Sequence, residues 1–470
     1  MAGVDSSTTA CKVQLRDSET GTVISTGRAA HSPTTPPRSE QHPQEWEQAF
    51  KGACAQAGLG EAQPPTAIAV AAQQHGMVVL GQDGTVLRPA KLWNDTESAP
   101  DCIDLLRELP GGASGWATAV GSVPVPAFTI TKLRWLRRCE PAVWDRLGSV
   151  LLPHDWLTFR LTGRRVTDRG DASGTGYWSP AENRYRIDVL DLVLGEMDWA
   201  GVLPQVLDPV AEAGEWRGVG AVVAAGTGDN MAAALALDLQ PGDLALSLGT
   251  SGTAFVTSST PSADPSGAVA GFADATGRFL PLVCTMNATK VTDAVMRLLG
   301  VDAARFDELA LSAAPGAGGL VLVPHLDGER TPNRPESTGV LAGLRSDVTP
   351  AQLARAGVEG VVCNLLAAAQ GLPGSTAPRR VFLIGGAARS LAYRRVVADL
   401  TGCPVVVPFE DELVAAGAAV QAAAIAGGLE LSAVAEAWGL GRGDVIEPDD
   451  RVDASGIRQA FARDVQWTAP

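Results

Sequence analysis

Along this chain the spacing of apolar and polar positions switches repeatedly between strand-like and helix-like, and each switch marks an element. The residues ahead of Asp5 are small or apolar and predict the end of a short strand. KVQLRDSETGTVISTGRAA (12–30) alternates and turns at Glu19–Thr20–Gly21, as a β-hairpin does. SPTTPPRSEQHP (32–43) is a polar, proline-rich loop. Trp46, Phe50 and Ala53 then recur at helical spacing in QEWEQAFKGACAQAGLG (44–60). TAIAVAAQQHG (66–76) reads as a buried strand ending in polar residues. MVVLGQDGTVLRPAKLWND (77–95) reads as a second hairpin turning at Asp83–Gly84. FTITKLRWL (128–136) and LLPHDWLTFRLTG (151–163) have the pattern of amphipathic helices, which assigns them to packing and not to chemistry. VVAAGTGDNMAAALAL (222–237) runs from strand through a glycine turn into a helix. LVAAGAAVQAAAIAGG (413–428) is alanine-rich, short of a membrane span, and predicted as a buried helix packed through its alanines.

One device recurs. DSSTTACK (5–12) follows an apolar strand with small hydroxyl residues and a second strand, and LALSLGTSGTAFVTSS (244–259) does the same with glycines added. RRVFLIGGAARS (379–390) adds another strand ending in glycines ahead of a helix. The duplication predicts two related α/β domains facing one nucleotide across a cleft. The breaker cluster Leu239–Gln240–Pro241–Gly242 sets their boundary, giving domains 1–240 and 241–470.

Composition narrows the class. A chain of 470 residues is too long for one ordinary core, and 46% hydrophobic with 19% charged residues describes a globular protein. A net charge of −15 argues against nucleic acid or an anionic membrane as partner. Seven cysteines without a CxxC pair argue against zinc or a disulfide framework and fit a reducing cytosol. No basic stretch followed by an apolar one opens the chain, so a cytoplasmic location is expected.

The candidate chemistry centres on Asp229. Gly226 and Gly228 form a Gly-x-Gly turn, but the third glycine of a dinucleotide fingerprint is missing, and a fixed negative charge suits no phosphate. The residues alone leave two readings open: Asp229 or Asn230 as helix N-cap, or Asp229 as a catalytic carboxylate.

Taken in order, DSSTTACK, QHG, LWND, FTITKLRWL, LLPHDWLTFRLTG, GTGDN, SLGTSG, PHLDGERTP, GVLAGLRSDVTPAQLARAGVEG, IGGAARS and ELVAAGAA resemble the FGGY carbohydrate kinases over nearly the whole chain. The resemblance implies an α/β fold of two ribonuclease-H-like (actin-like, ASKHA) domains flanking a catalytic cleft, with sugar on the first and ATP on the second. It implies transfer of the γ-phosphoryl of MgATP to a pentulose hydroxyl, first of all D-xylulose to D-xylulose 5-phosphate. The alternatives are another ketose or polyol (ribulose type), or a sugar- or nucleotide-binding regulator without turnover. Sugar and ATP are then the partners, and the resemblance allows a homodimer.

By similarity Asp229 is the base, acting also as the N-cap. A helix N-terminus favours its ionised form, so it is expected to stay deprotonated at pH 7 and to take up the proton late. Asp5 and Asp229 are the metal positions, Asp5 holding Mg²⁺ through water; an Asx-turn is the other account of Asp5. Thr8, Thr9 and Lys12 match phosphate-side positions, with Ser7 standing where a glycine is common. Gly249, Thr250, Ser251 and Gly252 are expected to wrap the β- and γ-phosphates with backbone N–H groups. Gly385, Gly386, Ala387 and Ser390 are expected to line the adenosine, with Ala387 replacing a frequent glycine. Gln74, His75, Trp93, Asn94, Asp95 and Asn230 are the sugar candidates, because a ketose needs paired donors and acceptors beside one aromatic wall. A core histidine and a core aromatic are the competing accounts of His75 and Trp93. Gln74 stands where some family members carry methionine. Glu329 and Arg330 are left as a pair across the cleft, a hinge brace or a solvated ion pair.

Overall fold

The computed structural model describes residues 1–60 and 62–468. The backbone forms two compact units. The first holds Met1–Asp238, Ser259–Leu280 and Glu410–Gly441; the second holds Leu239–Ser258, Pro281–Phe409 and the chain from Arg442 onward. The chain thus changes unit at Asp238–Leu239, beside the breaker cluster, and afterwards returns to the first unit twice.

Seven strands build the first unit's sheet. Its order is Glu212–Glu215, Val222–Ala224, Ala67–Ala72, Ala2–Ser6, Ala10–Arg16 and Val23–Ala30, with Thr227–Gly228 also paired to Ala67–Ala72. The last three strands of that order form an antiparallel meander, whereas Ala2–Ser6, Ala67–Ala72 and Val222–Ala224 run parallel. Parallel strands are covered on both faces, which explains the unbroken apolar run AIAVAA. The period of two still sorts its side chains. Ile68 and Val70 pack with Trp46, Phe50, Trp156 and Leu157 on one face, while Ala67, Ala69 and Ala71 pack with Ala232, Ala418 and Ala422 on the other. Alanines on that second face let two helices lie close, Asp229–Ala236 and the buried Leu413–Gly427. The approach is tight enough that a Cβ on Gly417 would sit 1.9 Å from the Ala232 carbonyl oxygen.

The second unit repeats this plan. Within this unit the strand order is Phe279–Thr285, Gly252–Phe255, Asp243–Leu248, Arg380–Ile384, Val405–Pro408 and Gly443–Ile446. Again the first three strands by sequence form a meander, and the next two join parallel beside the first. Each sheet also has an antiparallel strand at one edge, Glu212–Glu215 beside Val222–Ala224 in the first and Gly443–Ile446 beside Val405–Pro408 in the second. The duplicated device in the sequence is therefore a duplicated topology.

Two expectations change. Helix Pro153–Thr162 is not amphipathic: only Phe159 and Arg160 escape full burial, and His154, Asp155 and Thr158 are inside with the apolar residues. Charges balanced within the protein, not solvent, satisfy its polar face. In 77–95 the turn at Asp83–Gly84 forms, closed by Gly81 N–H to the Thr85 carbonyl at 2.8 Å. Val78–Leu80, however, takes Ser149–Leu151 as its strand partner.

Candidate functional site

In the first unit, parallel register brings the chemistry to one edge. Asp5 lies beside Ala71, and Thr227–Gly228 beside Ala71–Ala72, so Asp5, the Gln73–Gln74–His75 end and Asp229 leave the sheet on the same side. This is where ligands bind in sheets of this kind.

Asp5 is 3% exposed. Ser7 donates its hydroxyl to Asp5 Oδ1 at 2.7 Å, and Lys12 Nζ stands 3.7 Å from Oδ2 while bonding Glu412 at 2.5 Å. Ser7 N–H donates to the Ala10 carbonyl at 3.0 Å, and Ser7 has no positive φ, so the turn forms without the glycine common at this position. Burial pushes the Asp5 carboxyl up to about 6, opposed by Ser7 and Lys12.

Asp229 corrects two expectations. The N-cap is Gly228, and Asp229 is the first helical residue. Its Oδ1 accepts from Asn230 twice, from the backbone N–H at 2.8 Å and from the side-chain amide at 2.9 Å. The helix N-terminus does not hold its carboxyl low. Burial, then the charges of Asp5 and Asp171, push it up to about 7, and the Asn230 bonds offset only part of this. A carboxyl titrating at neutral pH is a better proton acceptor than the low-pKa group the helix alone would make.

Around it, Asn230 also donates to Gln74 Oε1 at 3.1 Å, and the buried Gln74 Nε2 has no partner among the described residues. His75 is half-buried with φ +66°, packed against the rings of Phe128 (4.9 Å) and Phe272 (5.7 Å). Its Nδ1 lies 2.8 Å from the Gly174 carbonyl, which can only accept, so Nδ1 carries the proton. Trp93 is 43% exposed and donates its indole N–H to Thr8 Oγ1 at 2.9 Å, which excludes a core aromatic. Thr8 in turn donates to Gln73 Oε1 at 3.1 Å, and Thr9 is exposed. Asn94 keeps a buried Oδ1 without a protein donor. Asp95 is not brought to this group. It is fully buried, with Oδ2 accepting from Ser39 N–H and Lys91 Nζ at 2.9 and 3.0 Å and Oδ1 from Glu97 N–H at 3.1 Å. It belongs to an ion cluster around Lys91 that also includes Glu40 and Glu97.

In the second unit, Thr250 and Ser251 are exposed on the turn between Asp243–Leu248 and Gly252–Phe255, and Gly249 N–H donates to the Ser251 carbonyl at 3.0 Å. The turn is held from behind by its carbonyls: Thr250 accepts from Ala288 N–H at 3.2 Å and Gly249 from Thr289 N–H at 2.9 Å. That bracing segment is pinned by Glu329, which is 1% exposed and corrects the surface-pair expectation. Its carboxylate accepts from Met286 N–H (2.5 Å), Asn287 Nδ2 (3.0 Å), Asn364 Nδ2 (2.9 Å) and Arg330 N–H (2.8 Å).

The glycine pair after Arg380–Ile384 divides in two. Gly385 has φ +84°, and a Cβ there would lie 2.7 Å from the Leu248 carbonyl; Gly386 is exposed with open space around it. Ala387 is buried and presents no surface. Ser390 is the N-cap of Leu391–Thr401, accepting from Tyr393 N–H at 3.1 Å and donating to Asp307 at 2.6 Å, so its hydroxyl is already engaged.

Two sheets of one topology, a carboxylate at a strand-end turn in one and a glycine-rich hairpin turn in the other, are the plan of the actin-like class. Residues 1–236 match the N-terminal domain and 244–426 the C-terminal domain of the FGGY family of carbohydrate kinases, and the chain belongs to that family. It is 44% identical over 464 residues to a xylulose kinase of Streptomyces coelicolor, covering 97% of this chain and 94% of that protein. It is 45% identical over 460 residues to a xylulose kinase of Streptomyces rubiginosus, covering 96% and 93%. The crystal structure of xylulose kinase from Bifidobacterium adolescentis superposes with a TM-score of 0.87 at 39% identity, covering 98% of each chain.

Proposed function

We propose that this sugar kinase transfers the γ-phosphoryl group of ATP to D-xylulose, giving D-xylulose 5-phosphate and ADP. The single observation that carries the acceptor chemistry is Asp229 at the strand-end turn, with a carboxyl near neutral and the polar groups of Gln74, His75 and Asn230 beside it. The sugar itself is supported by the two Streptomyces relatives and the Bifidobacterium structure, all three xylulose kinases by name.

Asp229 orients the acceptor hydroxyl and takes its proton as the oxygen–phosphorus bond forms and the bond to the ADP oxygen breaks. Gln74 Nε2 and Asn94 Oδ1, both buried without a protein partner, are the donor and acceptor that sugar hydroxyls would satisfy. Thr250 and Ser251, exposed on the Gly249–Gly252 turn, offer backbone N–H groups to phosphate oxygens, and Gly386 leaves room for the adenosine. Asp5 and Asp229 fit Mg²⁺: both are hard oxygen donors raised by burial, and the charge of Asp5 raises Asp229 further, a repulsion that a cation relieves. Bound there, Mg²⁺ would neutralise phosphate charge in the transition state. The cytosol is the compartment we assign, and sugar and ATP are the partners.

The test is initial ADP release with MgATP across D-xylulose, D-ribulose, L-ribulose, L-xylulose, xylitol and glycerol, beside a blank without sugar. D-xylulose should raise the rate well above the blank and above the other acceptors. A higher kcat/KM for another acceptor overturns the sugar assignment, and no stimulation by any of them overturns the kinase reading.

A further inference from the structure

Beneath the Gly226–Asp229 turn lies a group of ionisable side chains that the phosphoryl chemistry does not use. His154 is fully buried in helix Pro153–Thr162. Its Nδ1 is 2.6 Å from Asp171 Oδ2, and its Nε2 is 3.2 Å from Asp155 Oδ1 and 3.7 Å from Asp168 Oδ1. All three aspartates are buried as well. So much charge is not kept inside a protein for stability, since well-packed apolar residues do that as well or better. What such a cluster supplies is fixed geometry, and its bonds run to the site from two directions.

The first runs to the base. Asp168 Oδ2 accepts the Thr227 hydroxyl at 2.8 Å, two residues ahead of Asp229. On the other side of the turn the His154 ring leaves no room, because a Cβ on Gly226 would stand 2.9 Å from its Cδ2. The second runs to the sugar side. Asp168 also caps the short helix Arg169–Ser173, accepting from Gly170 N–H at 2.8 Å and Asp171 N–H at 3.0 Å. The residue that ends this helix, Gly174, is the one whose carbonyl holds His75 Nδ1. One five-residue helix therefore joins the turn that carries the base to the imidazole expected to read the sugar. Its seat is the pair of bonds that His154 and Thr227 make to Asp171 and Asp168.

We propose that His154 and Thr227 are positioning residues, which through Asp168 and Asp171 set Asp229 and His75 at a fixed separation. The assignment rests on the kinase reading above. Neither side chain touches the reacting atoms; each acts through the carboxylates it bonds.

The experiment compares Thr227→Val, which removes only the hydroxyl, with Thr227→Ser, which keeps it. It includes His154→Gln, the wild type, and Asp229→Asn as the base-deficient reference. Thr227→Val should lower kcat for the sugar about 10- to 100-fold, as a misplaced reacting group does, with KM for MgATP changed by less than about twofold. Thr227→Ser should recover most of that loss, and a folded His154→Gln should show the same split between kcat and KM. A His154→Gln that does not fold leaves the Thr227 pair to decide. If Thr227→Val lowers the melting temperature but keeps the wild-type kcat, the role is structural only and the inference is overturned, while the kinase reading stands. A wild-type chain that phosphorylates no sugar overturns both.

Discussion

Asn230 turns both of its N–H groups, backbone and side chain, onto the same oxygen of Asp229, Oδ1, at 2.8 and 2.9 Å. Among the described residues Oδ2 receives no hydrogen bond, which leaves it as the proton acceptor in the proposed mechanism. Asp229→Asn keeps the shape and removes that acceptor. It should lower kcat by about 10²–10⁴-fold, the usual worth of a positioned base, while calorimetry still detects sugar binding. Retained turnover in this variant would refute the assignment.

Burial and the neighbouring carboxylates place the Asp229 carboxyl near 7. Only the ionised form accepts a proton, and Mg²⁺ beside it would relieve the repulsion from Asp5, so kcat/KM for the sugar should rise with pH through a value at or below about 7 and then level. Initial rates at low sugar concentration from pH 5.5 to 8.5 check this. A profile flat from pH 5.5 upward would mean that the helix N-terminus wins after all.

His154 gives a second pH dependence, in stability. Burial alone would lower its pKa, but Asp155, the hydrogen-bonded Asp171 and Asp168 outweigh it and raise it to about 10. A histidine raised in the folded state contributes fully below its unfolded value of 6.5, and that contribution is lost as pH climbs through about 10. Denaturant midpoints should therefore fall between pH 6.5 and 10 for the wild type, and His154→Asn should flatten this slope while lowering stability throughout.

Glu329 braces from behind the Gly249–Gly252 turn proposed to hold phosphate. Glu329→Ala strips a buried acceptor from four donors and should cost roughly 3 kcal/mol or more in denaturant unfolding. In whatever fraction stays folded, KM for MgATP should rise while KM for the sugar holds. An equal rise in both would place the effect elsewhere.

The two adjacent glycines should respond differently to alanine. At Gly385 the positive φ and the Leu248 carbonyl make Gly385→Ala destabilising by about 1–3 kcal/mol. At Gly386 nothing in the protein opposes a methyl group, so Gly386→Ala should leave the melting temperature unchanged and raise KM for MgATP severalfold. An unchanged KM would remove Gly386 from the nucleotide site.

What was legible in the sequence was what local pattern carries. Hydrophobic spacing gave both strand–turn–strand units, and ordered motifs gave the family. Contacts between distant segments were not legible. Asp229 was expected to sit low because its own helix was visible, whereas Asp5 and Asp171, which raise it, reach it only through folding. His154 and Asp155 stood inside a motif read as packing; the polar pair in an apolar run was the available signal that it was more. Asp95 looked like a sugar ligand at a strand end until Lys91 drew it inward. Ser390 looked like an adenosine contact until it proved to be a helix cap. Residue type and spacing locate a turn, but not the direction in which its side chains are claimed.

The return of Glu410–Gly441 to the first unit bears on how the protein is made. The alanine face of the opening sheet is synthesised early, yet the helix Leu413–Gly427 that helps cover it follows more than 300 residues later. Until then part of that face lacks its cover, so the first unit cannot complete its packing as it emerges. Split halves expressed from a cut at the midpoint would carry the same defect permanently.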